Sequence, residues 1–453
     1  MADVKRGTCL LRALVKCNNL SGSIVESLLQ SLCARQLKIR AMFFLGLAPL
    51  ALLANGMRLG SQDGFATARG EAFVATADNP SALYYNPAGL TQVEGTQARS
   101  GIYGIYLDPM FTPPADAANA GQTYHLHNQL AAVPQFFLSH TLRDSKWSFG
   151  LGIYSPYGAT VSWPQDTGFR AVATDAAIKY FRFNPVVALK LTPSLSLAAG
   201  ALLDYANLEL EQGLLRTARP FGNFFRFNGD GCSAGYNVGL LWQPDEKIFF
   251  GATFRSSTEF TLRGKTRIEQ QPVIQSTTVP AQADYEFPLT AVLGVSFRPT
   301  PKWNLEFDAD YTDWSSLGQI TIRQQSTPPF PVQQNIPVNL NWQPSWIFEF
   351  GATHYLDNDW HLSAGYLYNQ NSVPDAFYSP LAADLDRHFF SLGAGHKGRR
   401  FDFDVAYQFG YGPARTVSGS MPSSQPGFFA GQTADGTYEF ISHAMFVTVG
   451  IHF

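Results

Sequence analysis

The sequence predicts an all-β protein, a 14-stranded antiparallel transmembrane β-barrel with a small N-terminal plug inside its lumen. Three observations predict it. Apolar and polar side chains alternate with period two from Ala98 to Phe453, the connections between the alternating runs are short and long in turn, and the chain stops on an aromatic residue at the end of such a run. Only 15% of the 453 residues are charged, and the mean hydropathy is -0.08. A soluble protein has that average, but so does one that alternates lipid-facing and water-facing side chains. After Ala54 no apolar run reaches the roughly 20 residues of a spanning helix.

The net charge of -3, with no Lys/Arg cluster beyond pairs such as Arg399 and Arg400, excludes nucleic acid as a partner. Residues 1–54 read as an export signal with an upstream extension. Lys38 and Arg40 precede the apolar run from Met42 to Ala54, which ends on a small residue. Residues 55–97 follow as the plug. Its central stretch, Gly60 to Gly89, is rich in Ala, Gly, Asn and Pro and holds too few large aliphatic side chains to close a core, so its walls come from elsewhere. Asp78 is placed to cap a short helix with Pro80 near its start, and Asn86 before Pro87 stops that helix within two turns.

Residues 98–453 form the barrel. Phe401, Phe403, Val405, Tyr407 and Phe409 alternate with Asp402, Asp404, Ala406, Gln408 and Gly410, and only a strand sorts them onto two faces. Leu305, Phe307, Ala309 and Tyr311 against Glu306, Asp308, Asp310 and Thr312 repeat the arrangement, and carboxylates stacked on one face are expected to meet water there. Short turns near 143–145, 192–194, 244–247, 300–302, 357–359 and 397–400 interleave with long loops, which places both termini on the periplasmic side. Trp147, Trp242, Trp303 and Trp360 lie near the short turns and Trp163, Trp314 and Trp342 toward the long loops, as two interfacial belts. In the last strand Met445, Val447, Val449, Ile451 and Phe453 share one face. This ending fits the signal read by a barrel-assembly machinery.

The motif GEAFVATADNPSALYYNPAGL, Gly70 to Leu90, closely resembles the N-terminal hatch of the FadL/TodX-type outer-membrane transporters for long-chain fatty acids and other hydrophobic compounds. FRSS at Phe254 to Ser257 and DADYTDWS from Asp308 to Ser315 resemble strands of the same family. The resemblance implies the outer membrane of a Gram-negative-type bacterium as location, with a fatty acid or similar hydrophobic molecule and outer-membrane lipid as partners. It implies passive uptake, in which ligand is captured at the extracellular loops, held in an apolar lumenal pocket, and released sideways after the hatch moves. Gly70, Asp78, Asn86, Pro87 and Ala88 would carry the gating. Gly150, Gly152 and Pro156, in the third strand, could weaken its ladder and bend it inward.

Arg255 shares a face with Gly251, Thr253, Ser257 and Glu259, and is expected to point into the lumen toward a fatty carboxylate, the hatch backbone, or Glu259 or another acid. Arg170, in a long loop, would meet a carboxylate at the entrance or stay solvated. Phe221, Phe224 and Phe225, in another long loop, would make a greasy capture patch or simply pack. No cofactor is expected. His125 and His127 lack a third metal ligand nearby, and Ser442 and His443, adjacent on a strand, point to opposite faces and cannot pair as nucleophile and base. An enzyme is therefore not expected; the rival readings are a general porin and a barrel that anchors an enzyme or adhesin.

Overall fold

In the computed structural model, residues 57–216, 223–270, 274–326, 333–421 and 431–453 are described. The expected export signal, 1–54, lies outside the described residues. The strands in chain order are β1 (Thr96–Thr112), β2 (Tyr124–His125), β3 (Leu130–Thr141), β4 (Trp147–Tyr154), β5 (Gly158–Ser162), β6 (Asp175–Lys190), β7 (Leu195–Gln212), β8 (Asn223–Trp242), β9 (Ile248–Arg255) and β10 (Thr258–Gln270). They continue as β11 (Ile274–Phe287), β12 (Thr290–Thr300), β13 (Trp303–Thr312), β14 (Gln319–Gln324), β15 (Asn335–Asn339), β16 (Ser345–Tyr355), β17 (Trp360–Asn369), β18 (Arg387–Lys397), β19 (Phe401–Val417) and β20 (Gly436–His452).

These segments build a closed antiparallel barrel of 14 spans. Six spans are split: β2 with β3, β4 with β5, β9 with β10, β11 with β12, β13 with β14, and β15 with β16. The barrel closes where β1 pairs with β20, from Gln97 opposite His452 to Thr112 opposite Thr437.

The outer surface is greasy because the period-two pattern puts every second side chain there. Met445, Val447 and Val449 are exposed, while Ala444, Phe446 and Thr448 between them are buried. Trp147, Trp242, Trp303 and Trp360 project outward beside the short turns, as a lower belt requires. Trp163, Trp314 and Trp342 do not form an upper belt. All three are buried, with Trp314 and Trp342 packed edge to face at 5.2 Å. The loops at that end fold inward over the lumen and carry these rings with them.

The lumen is filled rather than wet. Glu306, Asp308, Asp310, Asp402 and Asp404 are buried, so the expectation that they meet water is overturned. Glu306, Asp308 and Asp310 find their partners in residues 57–93, which lie inside the barrel against the inward faces of the spans, and Asp402 and Asp404 are held by Arg99 of β1. Above this plug, toward the long loops, the interior is an apolar cluster that includes Tyr157, Tyr180, Phe260, Phe287 and Trp314.

Candidate functional site

The plug is two short helices and a 3-10 turn, of which the first helix and the turn have side-chain caps. Asp63 opens α1 (Gly64–Ala68), its Oδ1 accepting from Phe65 N at 3.0 Å and Ala66 N at 3.3 Å. Before α2 (Ala82–Tyr85), whose N-cap Ser81 makes no side-chain cap bond, the Asn79 carboxamide forms an Asx turn, accepting from Ser81 N at 2.8 Å. Asp78, one residue earlier, is half-exposed and makes no such bond. An Asx turn needs its acceptor two residues before the donor, and Asn79 has that register to Ser81. The helix ends at Tyr85 because Asn86 is extended (φ -152°, ψ 104°) ahead of Pro87, which starts the 3-10 turn Pro87–Gln92.

Asn86 does more than stop the helix. Its Nδ2 donates to the Val74 carbonyl at 2.8 Å and to the Leu240 carbonyl of β8 at 2.9 Å, while its Oδ1 accepts from Ala88 N. Gly239 gives it room; a Cβ there would collide with the Asn86 amide and the Pro87 ring. Gly70 (φ 62°) reaches the opposite wall in the same way, since Gly365 of β17 lies directly against the backbone of Arg69 and Gly70.

Charge fixes one side of the plug. Arg58 pairs with Asp310 and donates to Thr312 at 2.9 Å. Arg69 pairs with Glu306 at 3.0 Å, and Arg99 of β1 bridges Asp63 of the plug to Asp402 and Asp404 of β19. The carboxylates also satisfy main-chain donors. Asp308 Oδ2 accepts from Phe73 N (2.8 Å) and Val74 N (2.9 Å), and Glu306 Oε1 from Ala75 N (2.7 Å) and Thr76 N (3.1 Å). Hydrogen-bonded in this way, the loop needs no secondary structure of its own. The other side of the plug is apolar: Leu83, Tyr84, Ala88 and Leu90 pack with Phe137, Tyr154, Val186 and Leu241 of the wall.

Between plug and wall lies a space of about 50 Å³, enough for a few waters and too small for a long acyl chain. Leu59, Ile105, Leu107, Ile347, Leu367 and Phe440 make its greasy wall, and Arg58, Ser61, Glu71 and Gln408 its polar one. Glu71 is held there by a left-handed backbone (φ 70°), which costs a side-chain-bearing residue about 1–3 kcal/mol. Burial pushes its carboxyl up to about 7, although the Ser61 hydroxyl donates to it at 2.5 Å.

The third span breaks next to the plug. β4 pairs with β3 from Thr141 opposite Ser148 to Phe136 opposite Ile153, whereas β5 pairs with β6 alone. Among the described residues no ladder joins Leu130–Gln135 of β3 to the third span, until His127 N reaches the Ser162 carbonyl at 2.9 Å. Pro156 lies within the break, and the plug takes the main-chain groups freed there. Leu59 N donates to the Pro156 carbonyl (2.8 Å), Gly158 N to the Met57 carbonyl (2.9 Å), and Gln62 Nε2 to the Ser155 carbonyl (2.9 Å). Gly150 and Gly152 sit lower, in the intact ladder opposite Ser139 and Phe137. Gly150 there faces Leu83 and Leu90 of the plug.

Arg255 ends β9 inside the lumen, 5% exposed, with its guanidinium 4.7 Å over the Tyr84 ring. It does not meet Glu259. Ser256 and Ser257 separate β9 from β10 and shift the alternation, so that Thr258 and Phe260 face in and Glu259 is exposed. Arg170 is buried among the loops and fully engaged, donating to Gln165 Oε1 (2.6 Å), the Leu215 carbonyl (2.7 Å) and Asn223 Oδ1 (2.7 Å). Phe221 lies outside the described residues. Phe224 and Phe225 belong to β8 rather than to a loop; Phe225 is buried in the apolar cluster, and Arg226 and Arg267 stand over the Phe224 ring at 5.2 and 5.6 Å.

A closed barrel with a greasy belt and an N-terminal segment bonded into its lumen defines an outer-membrane transport channel as the class. The chain belongs to the outer membrane protein transport protein family (OMPP1/FadL/TodX), whose model matches residues 50–449, and it resides in the outer membrane. It is 22% identical over 380 residues to the long-chain fatty acid transport protein of Escherichia coli (strain K12), covering 74% of this chain and 83% of that one. To the 47 kDa outer membrane protein of Pasteurella multocida it is 22% identical over 367 residues, covering 76% and 82%. Among solved structures, a Pseudomonas aeruginosa FadL homologue superposes with a TM-score of 0.76 at 18% identity, over 88% of this chain and 100% of the other. The Pseudomonas putida toluene transporter TodX superposes at 0.64 with 16% identity, over 86% and 98%.

Proposed function

We propose that this chain is a passive channel that takes long-chain fatty acids or similar hydrophobic molecules across the outer membrane, with residues 55–97 acting as its gate. The break in the third span carries the reading. A water-filled pore needs no gap in its wall, whereas a greasy solute leaves most favourably sideways into lipid. The gap between β3 and β5 faces the membrane, and its free main-chain groups are held by Met57, Leu59 and Gln62 of the plug. A shift of the plug then uncovers the gap and enlarges the cavity beside Glu71 in one movement. Asn86, Pro87, Ala88 and Gly70 would set that movement, since they seat the plug on β8 and β17. Among the described residues Asp78 makes no hydrogen bond to the wall.

The test is uptake of radiolabelled oleate by a transport-null strain complemented with this chain. Uptake above the empty-vector level is expected. No uptake of any hydrophobic substrate, with normal surface expression, would sink the reading.

A further inference from the structure

Resting on that channel reading, we infer that Arg255 and Thr290 form the docking point for the carboxylate of an amphipathic ligand, so that the channel prefers a fatty acid to an uncharged molecule of equal length. The side chain of Arg255 is 95% removed from solvent at 5% exposure, yet its Nε and Nη2 donate to no acceptor among the described residues. Thr290 lies directly across the β9–β12 ladder, is also buried, and its hydroxyl is likewise unpartnered. Three donors thus converge on one patch of wall with nothing to receive them.

The neighbouring charges are already balanced. Asp204 accepts from Arg182 Nε at 2.7 Å, and Asp310 is paired with Arg58. On the other flank of Arg255, Asn237 exchanges amide bonds with Asn184. Among the described residues no carboxylate hydrogen-bonds to Arg255, Glu71 being bonded to Ser61 instead, and a buried guanidinium with idle donors favours an arriving anion. A carboxylate suits the fork of a guanidinium and leaves a lone pair for a hydroxyl.

The surroundings define the rest of the ligand. Up the wall from Arg255 the next inward residues are Thr258 and Phe260, and up from Thr290 they are Phe287 and Tyr285. Phe260, Phe287, Tyr180 and Tyr157 pack on one another with centroids 4.7–5.8 Å apart. A single carboxylate at the floor and an apolar chain among these rings is the shape of a fatty acid. Tyr84, under the guanidinium, belongs to the plug, so a carboxylate drawn to Arg255 competes with the contact that holds α2 in place.

The experiment measures binding of tritiated palmitate and tritiated hexadecanol to the purified full-length protein in detergent. Arg255→Gln is expected to weaken palmitate about tenfold or more and to leave hexadecanol within about twofold; Thr290→Val should weaken palmitate about threefold with the same selectivity. Arg255→Lys, which keeps the charge, should recover part of the palmitate affinity. Equal losses for both ligands, or unchanged palmitate binding in Arg255→Gln and Thr290→Val, would overturn the docking point and leave the channel reading standing. If Arg255→Gln does not fold, the Thr290→Val ratio alone decides. A wild-type protein that binds neither ligand overturns both.

Discussion

Asn86 of the plug donates its side-chain amide to the main-chain carbonyl of Leu240 in the barrel wall, at 2.9 Å. The same amide holds the Val74 carbonyl, so one side chain ties the two halves of the plug together and fastens both to β8. Asn86→Ala leaves two buried carbonyls and the Ala88 N–H without this partner, at a cost of about 1–3 kcal/mol for each group left unsatisfied. The barrel should still assemble, while the plug seats less firmly. Planar-bilayer conductance is expected to rise in bursts; a trace identical to wild type would tell against the clamp.

Removal of Ser155 to Tyr157 should let β4 run straight into β5 and extend the β3–β4 ladder past Ile153. The wall would then be closed beside the plug. Oleate uptake is expected to fall to the empty-vector level with surface expression retained, and uptake at the wild-type rate would mean that the exit lies elsewhere.

The carboxyl of Glu71 gives a pH dependence whose sign can be worked out. Burial raises it from the ordinary 4.5 to about 7, so between those values the folded protein keeps a proton that the unfolded chain has lost. Stability from this group is therefore highest below the lower value, falls as pH rises through the window, and is flat above about 7. The total is on the order of 3 kcal/mol. Comparing melting in detergent at pH 5 and pH 8, wild type should lose more than Glu71→Gln; equal losses would place the titration elsewhere.

Leu293 of β12 is 67% exposed on the lipid face, whereas its neighbour Val292 is buried. Leu293→Arg should destabilise refolding into liposomes by about 2–4 kcal/mol if the residue lies near the midplane. A neutral result would misplace the belt.

The spans were legible because alternation is a local property: a reader of Phe401 to Phe409 needs nothing but neighbouring residues to sort two faces. The partners of the inward face were not. Asp308 and Asp310 read as wetted acids, since the residues that bury them, Phe73, Val74 and Arg58, lie more than two hundred positions earlier. Arg58, Arg69, Arg99 and Asp63 gave no signal for the same reason, although a charge within an otherwise apolar, Ala- and Gly-rich plug was itself a hint. Strict alternation puts Glu259 on the inward face, but at Ser256 and Ser257 the strand breaks and the phase slips. The loop-end tryptophans followed their loops inward, and no pattern within a loop states where the loop will fold.

The two sides of the plug adhere to the wall by different means. Ion pairs and carboxylate-to-amide bonds hold it along β13 and β19, whereas along β4, β6 and β8 the contact is mainly greasy, with Asn86 and the bonds at the third-span break as polar ties. Water and ions gain nothing by wedging into the greasy seam, and the salted seam is closed to an oil. A hydrocarbon tail, by contrast, would replace like with like there, and in the gating proposed above the plug would peel from that side while the other stays attached. On that proposal the lumen would sort solutes as an oiled door with a brass hinge would, by which seam they are able to wet, without a filter of any particular diameter.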